Sequence, residues 1–142
     1  MQLSKNLTLQ EACITNSGIP NVPNEQSIIN LKQVADKVFQ KCRDHFGKPL
    51  KVNSGYRSAA VNQSVGGALT SQHLNGQALD LDCGNKADNK ALFDYIRHNL
   101  IFDQVINESD YSWIHVSYNG ALNRRQVLEM VKVNGKSTYK KL

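Results

Sequence analysis

The chain has 142 residues, so we expect a single domain over residues 1–142 that buries roughly two thirds of the surface exposed when unfolded. Hydrophobic residues make up 40% and charged residues 20%, with only 3 prolines and 9 glycines, which excludes an intrinsically disordered chain. The net charge of +5 favours contact with polyanions, but its sign does not choose among nucleic acid, anionic lipid and other acidic polymers.

Helical patterns occupy the first third of the chain. Residues 8–11 have the spacing of a capping box, which predicts a short helix to about residue 17. A loop with two prolines follows, and apolar residues then recur at steps of three and four over 28–42. They predict an amphipathic helix that ends near residue 47. Residues 49–54 alternate apolar and polar side chains and predict a short strand before a tight turn.

The middle of the chain combines a short helix, a loop and a strand. A serine cap predicts a small helix over 58–65, and a pair of glycines ends it. Residues 68–76 have no period and predict a loop with functional freedom. Residues 78–82 alternate with period two, which places Asp80 and Asp82 on the same face of a strand.

The last part of the chain is predicted to be rich in strands. Residues 86–99 have helical spacing, and residues 102–107 and 113–118 alternate as strands do. Residues 127–139 predict a hairpin around Asn134-Gly135, a pair preferred in type I′ turns because both positions need positive φ.

The cysteines and the N-terminus bear on the cellular compartment. Cys13, Cys42 and Cys83 are odd in number and lack CxxC spacing, so we expect reduced, partly buried thiols rather than disulfides or a cysteine-based zinc knuckle. The first 18 residues have no uninterrupted apolar core, and no window reaches the roughly 20 apolar residues of a membrane span. We therefore expect a protein made in the cytoplasm without a signal peptide.

Three residues, His73, Asp80 and His115, are candidate metal ligands. A catalytic zinc ion usually takes three protein ligands and leaves a fourth position for water. A loop histidine, a strand carboxylate and a histidine on a later strand converge if those strands are neighbours. The spacing alone also fits unrelated polar positions, but His115 lies in an apolar strand, where an imidazole needs a hydrogen-bond partner or a metal. His45 and His98 lie near predicted helix ends, and we interpret both as structural.

A set of ordered motifs now connects the chain to a known family. They are Ser54-Gly55-Tyr56-Arg57-Ser58, Val61-Asn62, Val65-Gly66-Gly67, Ser71-Gln72-His73, Gly76, Ala78, Asp80 and Trp113-Ile114-His115-Val116-Ser117. In this order they resemble the M15 family of zinc D-Ala-D-Ala carboxypeptidases and related phage endolysins, over about residues 7–118. The resemblance implies an α+β fold, Hedgehog/DD-peptidase-like, with a small, mainly antiparallel sheet flanked by helices.

The resemblance also implies an activity. It implies a metallopeptidase that holds one zinc ion through His73, Asp80 and His115 and hydrolyses peptide bonds of bacterial peptidoglycan stems, as a carboxypeptidase or an endopeptidase. Because we find no wall-binding module or signal peptide, we favour a lysin of phage or mobile-element origin that acts on the cell wall. We expect a monomer with no nucleic-acid partner. The competing hypothesis is a weak or inactive zinc-stabilised wall-binding module of the same fold.

The family resemblance also implies roles for three further residues of this chain. Arg57 is implied to face the substrate and stabilise developing negative charge, and the alternative is an ordinary salt bridge that anchors its turn. Ser71 and Tyr56 are implied to contact the peptide.

The general base is harder to place. Many family members have an acid three residues before the last histidine, but that position is Ser112 here. Glu108 is our choice, and it would take a proton from water and pass it to the leaving amine. Asp110 is the alternative, and a base elsewhere, such as Asp82, or an inactive site stays open.

Overall fold

Short helices and strands alternate along the chain in the computed structural model, which describes residues 1–142. The strands are Gln2–Ser4 (β1), Leu7–Thr8 (β2), Lys51–Ser54 (β3), Ala78–Asp82 (β4), Gln104–Glu108 (β5), Trp113–Ser117 (β6), Gln126–Val133 (β7) and Lys136–Lys141 (β8). The helices are Leu9–Ala12 (α1), Glu25–Val34 (α2), Gln40–Phe46 (α3), Ala59–Ser64 (α4) and Lys86–Asn99 (α5), with a π-helical segment Ala35–Phe39 and a 3₁₀ turn Gln72–Asn75.

A six-stranded sheet in the order β3-β4-β6-β5-β7-β8 organises the molecule. All neighbouring strands in it are antiparallel except β5 and β7, which run parallel. Strands β1 and β2 form a separate antiparallel pair. The prediction of an α+β fold with a mainly antiparallel sheet is confirmed.

The two N-terminal helical predictions had different outcomes. The capping box forms, with Thr8 accepting from the backbone N–H of Glu11 and Glu11 accepting from that of Thr8. The helix ends at Ala12 rather than near residue 17, because the backbone N–H of Tyr56 donates to the Ala12 carbonyl at 2.7 Å. The helix predicted over 28–47 is confirmed as α2, the π-helical segment and α3, and Gly47 at φ 63° ends it.

The main hydrophobic core lies between the helices and one face of the sheet. Because side chains alternate along a strand, every second residue of β4, β5 and β6 points toward the helices. The strand residues in this core include Leu79, Leu81, Val105, Ile114 and Val116, and the helical ones include Leu31, Val34, Val38, Phe93 and Ile96. The opposite face of the sheet is left to form a cleft. No helix has both the length and the apolar run needed to cross a bilayer.

The cysteines and two of the histidines are structural. All three cysteines are free, and burial raises the pKa of Cys13 and Cys83 to about 11, so neither is an effective nucleophile near neutral pH. His45 stacks on Tyr95 with ring centroids 4.0 Å apart, and His98 lies in the last turn of α5.

Candidate metal centre

A cleft of about 710 Å³ lies over the sheet face that the helices leave uncovered. Its floor consists of side chains that alternate along β5, β6 and β7, namely Gln104, Ile106, Glu108, Trp113, His115, Leu128 and Met130. The loop over residues 65–73 and Arg57 form one side, and the β7–β8 hairpin extends the other. The cleft is therefore assembled from segments distant in sequence.

Three candidate ligands meet on this floor. Asp80 on β4 pairs directly with His115 on β6, and the 3₁₀ turn places His73 beside them. Asp80 Oδ1 lies 3.2 Å from His73 Nε2 and 3.0 Å from His115 Nδ1. One ligand atom from each residue lies within 4.8 Å of the others. The side chains are 3%, 11% and 12% exposed for His73, Asp80 and His115, so the centre is shielded yet open to the cleft.

The Gly55 turn fixes the ring of His73. His73 Nδ1 lies 2.6 Å from the Gly55 carbonyl and donates to it, and the Arg57 N–H donates to the His73 carbonyl at 3.0 Å. A Cβ on residue 55 would lie 2.2 Å from the Ala12 carbonyl oxygen, so only glycine fits there. Gly76, at φ 73°, ends the 3₁₀ turn. The backbone around His73 therefore requires glycine at positions 55 and 76, which accounts for the two glycines in the sequence motifs.

The donor set fits a metal ion. With its Nδ1 proton directed at Gly55, neutral His73 presents an Nε2 lone pair to Asp80 Oδ1, so two acceptors face each other at 3.2 Å. A cation, or a proton on the imidazole, must lie between them. Burial alone would raise the pKa of Asp80, but His73 and His115 hold it far below its usual value. Two imidazoles and one carboxylate form a ligand set that suits zinc.

Arg57 contacts the second oxygen of Asp80. Its Nη2 donates to Asp80 Oδ2 at 3.4 Å, while Ser54 and Asn62 accept from Nε and Nη1 at 3.0 and 3.2 Å. Asp80 Oδ1 thus stays directed at the two histidines. Arg57 also lines the cleft, with 17% of its side chain exposed. It can therefore contact a substrate while it stays paired with Asp80.

Glu108 lies on the same floor, next to the candidate ligands. On β5 it is two residues, about 7 Å, beyond Ile106, the strand partner of His115. Glu108 is only 6% exposed, and its pKa is shifted by burial and nearby charges alone, with no hydrogen bond to its carboxylate. Burial outweighs the attraction of His115 and Arg57 and raises the pKa of Glu108 to about 7. Glu108 is therefore an acid with no structural partner.

The alternative acids have other contacts. Asp110 is 81% exposed at its side chain and pairs with Lys86 outside the cleft. Asp82 accepts hydrogen bonds from Gly84 and from Asn89 at the end of β4. Ser112 donates to the Ser109 carbonyl. None of the side chains of Asp110, Asp82 and Ser112 lines the cleft.

A left-handed turn follows Glu108 directly. Ser109, Asp110 and Tyr111 have φ values of 48°, 56° and 59°, a conformation that costs roughly 1–2 kcal/mol per non-glycine residue. Two asparagines hold the turn, since Asn107 accepts from the Tyr111 N–H at 2.6 Å and Asn89 donates to the Tyr111 and Ser112 carbonyls. The turn sets where β5 ends, and thereby the position of Glu108.

Of the three residues implied to face or contact the substrate, Arg57 and Ser71 line the cleft. The Ser71 hydroxyl accepts from the His73 N–H at 3.2 Å and caps the 3₁₀ turn. Tyr56 as a peptide contact requires correction, because its side chain packs in the hydrophobic core and it is 9% exposed. The turn directs Arg57 into the cleft and its neighbour Tyr56 away from it.

Sequence patterns missed the hairpin side of the cleft. Lys132, Ser137 and Tyr139 line it together with Arg124, which precedes β7. The alternation along β7 does predict that Leu128, Met130 and Lys132 share a face, but the parallel pairing of β7 with β5 has no local signal.

Two comparisons with known proteins bear on this site. A family described as Peptidase M15 matches residues 3–117, which include all three candidate ligands and Glu108. The zinc D-Ala-D-Ala carboxypeptidase of Streptomyces albus G is 49% identical over 39 residues. That stretch is 28% of this chain and 15% of the relative.

Proposed function

This chain belongs to the peptidase M15 family, and we propose that it is a zinc-dependent peptidase that hydrolyses the peptide stems of bacterial peptidoglycan. One observation carries the proposal: His73, Asp80 and His115 present their ligand atoms within 4.8 Å of one another on the cleft floor, next to the unpartnered carboxylate of Glu108. The name of the Streptomyces relative supports zinc as the metal and a D-Ala-D-Ala peptide as a substrate class.

Each candidate residue has a role that follows from its position. A zinc ion at the three ligands would supply a Lewis acid that polarises a peptide carbonyl and makes water more acidic. Glu108 accepts a proton from the attacking water and delivers it to the departing amine, and burial, which raises the pKa of this carboxyl, favours its holding the proton between the two transfers. The Arg57 guanidinium donates to the negative charge that develops on the carbonyl oxygen. Ser71 positions the peptide through its hydroxyl.

Digestion of purified sacculi tests the function. We expect protein loaded with one equivalent of zinc to release new amino groups, and a chelator to abolish the release. Mass spectrometry of the muropeptides then identifies the bond, because a carboxypeptidase removes the terminal residue whereas an endopeptidase splits the stem or its cross-link. Absence of new amino groups, at measured full zinc occupancy, contradicts the proposal.

Glu108→Gln separates an enzyme from a binding module of the same fold. We expect kcat/KM to fall about 10²–10⁴-fold because the amide cannot accept the proton, while zinc content and melting temperature are retained. Glu129→Gln is the matched control, since Glu129 undergoes the same change on β7 but lies outside the cleft lining. Equal activity of both variants would exclude Glu108 as the base.

A further inference from the structure

One end of the cleft is polar and carries a half-exposed arginine. On β5, Gln104 lies two residues before Ile106 and Glu108 lies two residues after it. Since Ile106 pairs with His115, Gln104 and Glu108 lie on opposite sides of that pair. Gln72, which precedes the candidate ligand His73, and Arg124 also line this end. At the other end of the floor, Met130 pairs with Glu108 and forms a small apolar cluster with Ile106 and Leu128. The two ends of the cleft therefore carry different side chains.

A buried carboxylate orients that arginine. The side chain of Asp103 is 3% exposed, and Arg124 donates to it from Nη2 at 2.8 Å, from Nε at 3.1 and 3.2 Å, and from its backbone N–H at 2.9 Å. Gln72 donates to the same carboxylate at 2.9 Å. Burial alone would raise the pKa of Asp103, but these hydrogen bonds lower it, so it is ionised. Asp103 thus fixes Arg124 relative to the loop that carries His73.

Part of the Arg124 guanidinium is left for a ligand. Its side chain is 56% exposed, and Nη1 donates to no protein group. A guanidinium presents five N–H donors in a planar fork, and its preferred partner is a carboxylate. The pair with Asp103 uses the Nε and Nη2 edge of the fork, which leaves Nη1 free in a residue that lines the cleft.

From this arrangement we propose that Arg124 is a specificity-determining residue that binds a carboxylate group of the peptide substrate. Gln104, next to Asp103 on the chain, lies two strand residues, about 7 Å, from Ile106, the partner of His115, and 7 Å spans about two residues of an extended peptide. The carboxylate therefore belongs to a residue within about two positions of the hydrolysed bond. It is either the free C-terminus of the peptide or an acidic side chain. The proposal deepens the proposed peptidase function and depends on it for the identity of the peptide.

Arg124 lies outside the region matched by the family, residues 3–117. A purely structural alternative is that Arg124 only anchors the loop after β6 onto Asp103. The two roles differ in what a substitution changes, because a loop anchor affects all substrates alike whereas a carboxylate-binding residue affects only acidic ones.

Four forms of the peptide identified from sacculi make the test. The first pair has a C-terminal carboxylate or carboxamide, and the second pair, with an amidated C-terminus, has an internal glutamate or glutamine. In Arg124→Gln we expect kcat/KM to fall about ten-fold or more for one acidic form, while its amide partner stays within about three-fold of wild type. Which pair responds identifies the source of the carboxylate. Arg125→Gln is the matched control, because Arg125 donates to the Leu100 and Arg97 carbonyls and stays outside the cleft.

A binding measurement on metal-free wild-type protein makes the test independent of turnover and of variant folding. The probes are synthetic stem peptides ending in D-Ala-D-Ala, in the same four forms, and we expect an acidic form, but not its amide, to shift the NMR signal of the Arg124 Nε–H. If sacculi are not hydrolysed but this shift occurs, the peptidase function fails and the carboxylate site stands. An equal loss of kcat/KM for acid and amide forms in Arg124→Gln, or an Nε–H signal that neither peptide moves, overturns the carboxylate site.

Discussion

Replacing Asn89 with alanine removes a buried side chain that connects three segments next to the candidate site. Asn89 is 1% exposed; its amide donates to Asp82, to the Tyr111 carbonyl and to the Ser112 carbonyl, and its oxygen accepts from the Cys83 N–H at 2.7 Å. One amide has two N–H groups, which the three acceptors share, so we count three hydrogen bonds: two donated by the amide and one accepted by its oxygen. At about 1 kcal/mol per lost hydrogen bond, with more where a buried group stays unpaired, the free energy of unfolding should fall by about 3 kcal/mol.

Urea denaturation followed by circular dichroism measures this loss. For a chain of this length, about 3 kcal/mol corresponds to a melting temperature lower by about 6–12 °C. Asn99→Ala is the matched control, because Asn99 donates only to the Tyr95 carbonyl at the exposed end of α5, and its loss should stay below about 1 kcal/mol. Asn89→Asp should be at least as destabilising as alanine, since a carboxylate would face two carbonyls and Asp82. A loss under 1 kcal/mol in Asn89→Ala would refute the idea that Asn89 holds the left-handed turn.

Three further predictions follow from the site. Because burial raises the pKa of Glu108 from 4.5 to about 7, its ionisation opposes folding, so the contribution of Glu108 to stability should fall between about pH 4.5 and 7. In chelator, the stabilisation by Glu108→Gln should thus be larger at pH 8 than at pH 4, and a pH-independent difference would count against it. Zinc at a hundred times its Kd should stabilise wild type by about 2.7 kcal/mol, measured by thermal melting, and Asp80→Asn should show little of this rise. Gly55→Ala should lower the free energy of unfolding by about 2–3 kcal/mol and weaken zinc binding in a titration, because its Cβ would lie 2.2 Å from the Ala12 oxygen and displace the carbonyl that holds His73.

Local sequence patterns predicted most of the helices and strands, but they did not predict which distant strands pair with each other. Helix α5 has the predicted bounds, and Asn134 and Gly135 adopt the positive φ values, 52° and 78°, that a type I′ turn requires. The parallel pairing of β5 with β7 depends on contacts between distant segments, so the hairpin wall of the cleft and Arg124 were not predicted.

The candidate site was likewise predicted only in part. Motif order selected His73, Asp80 and His115, and the register of β4 and β6 brings them together. Tyr56 was misplaced because a motif in a tight turn does not state which side chain faces the cleft. The choice of Glu108 over Asp110 stays a prediction, to which the structure adds the burial of Glu108 and the exposure of Asp110.

The outermost strand, β8, gives the basic C-terminal residues a use that concerns solubility. One side of β8 has no strand partner, and such an edge is a template on which another chain can add a strand and begin aggregation. Lys136, Lys140 and Lys141 lie on this exposed strand. Two copies that approached edge to edge would bring these ammonium groups together and repel each other. The lysines thus protect the sheet that supports the cleft from self-association.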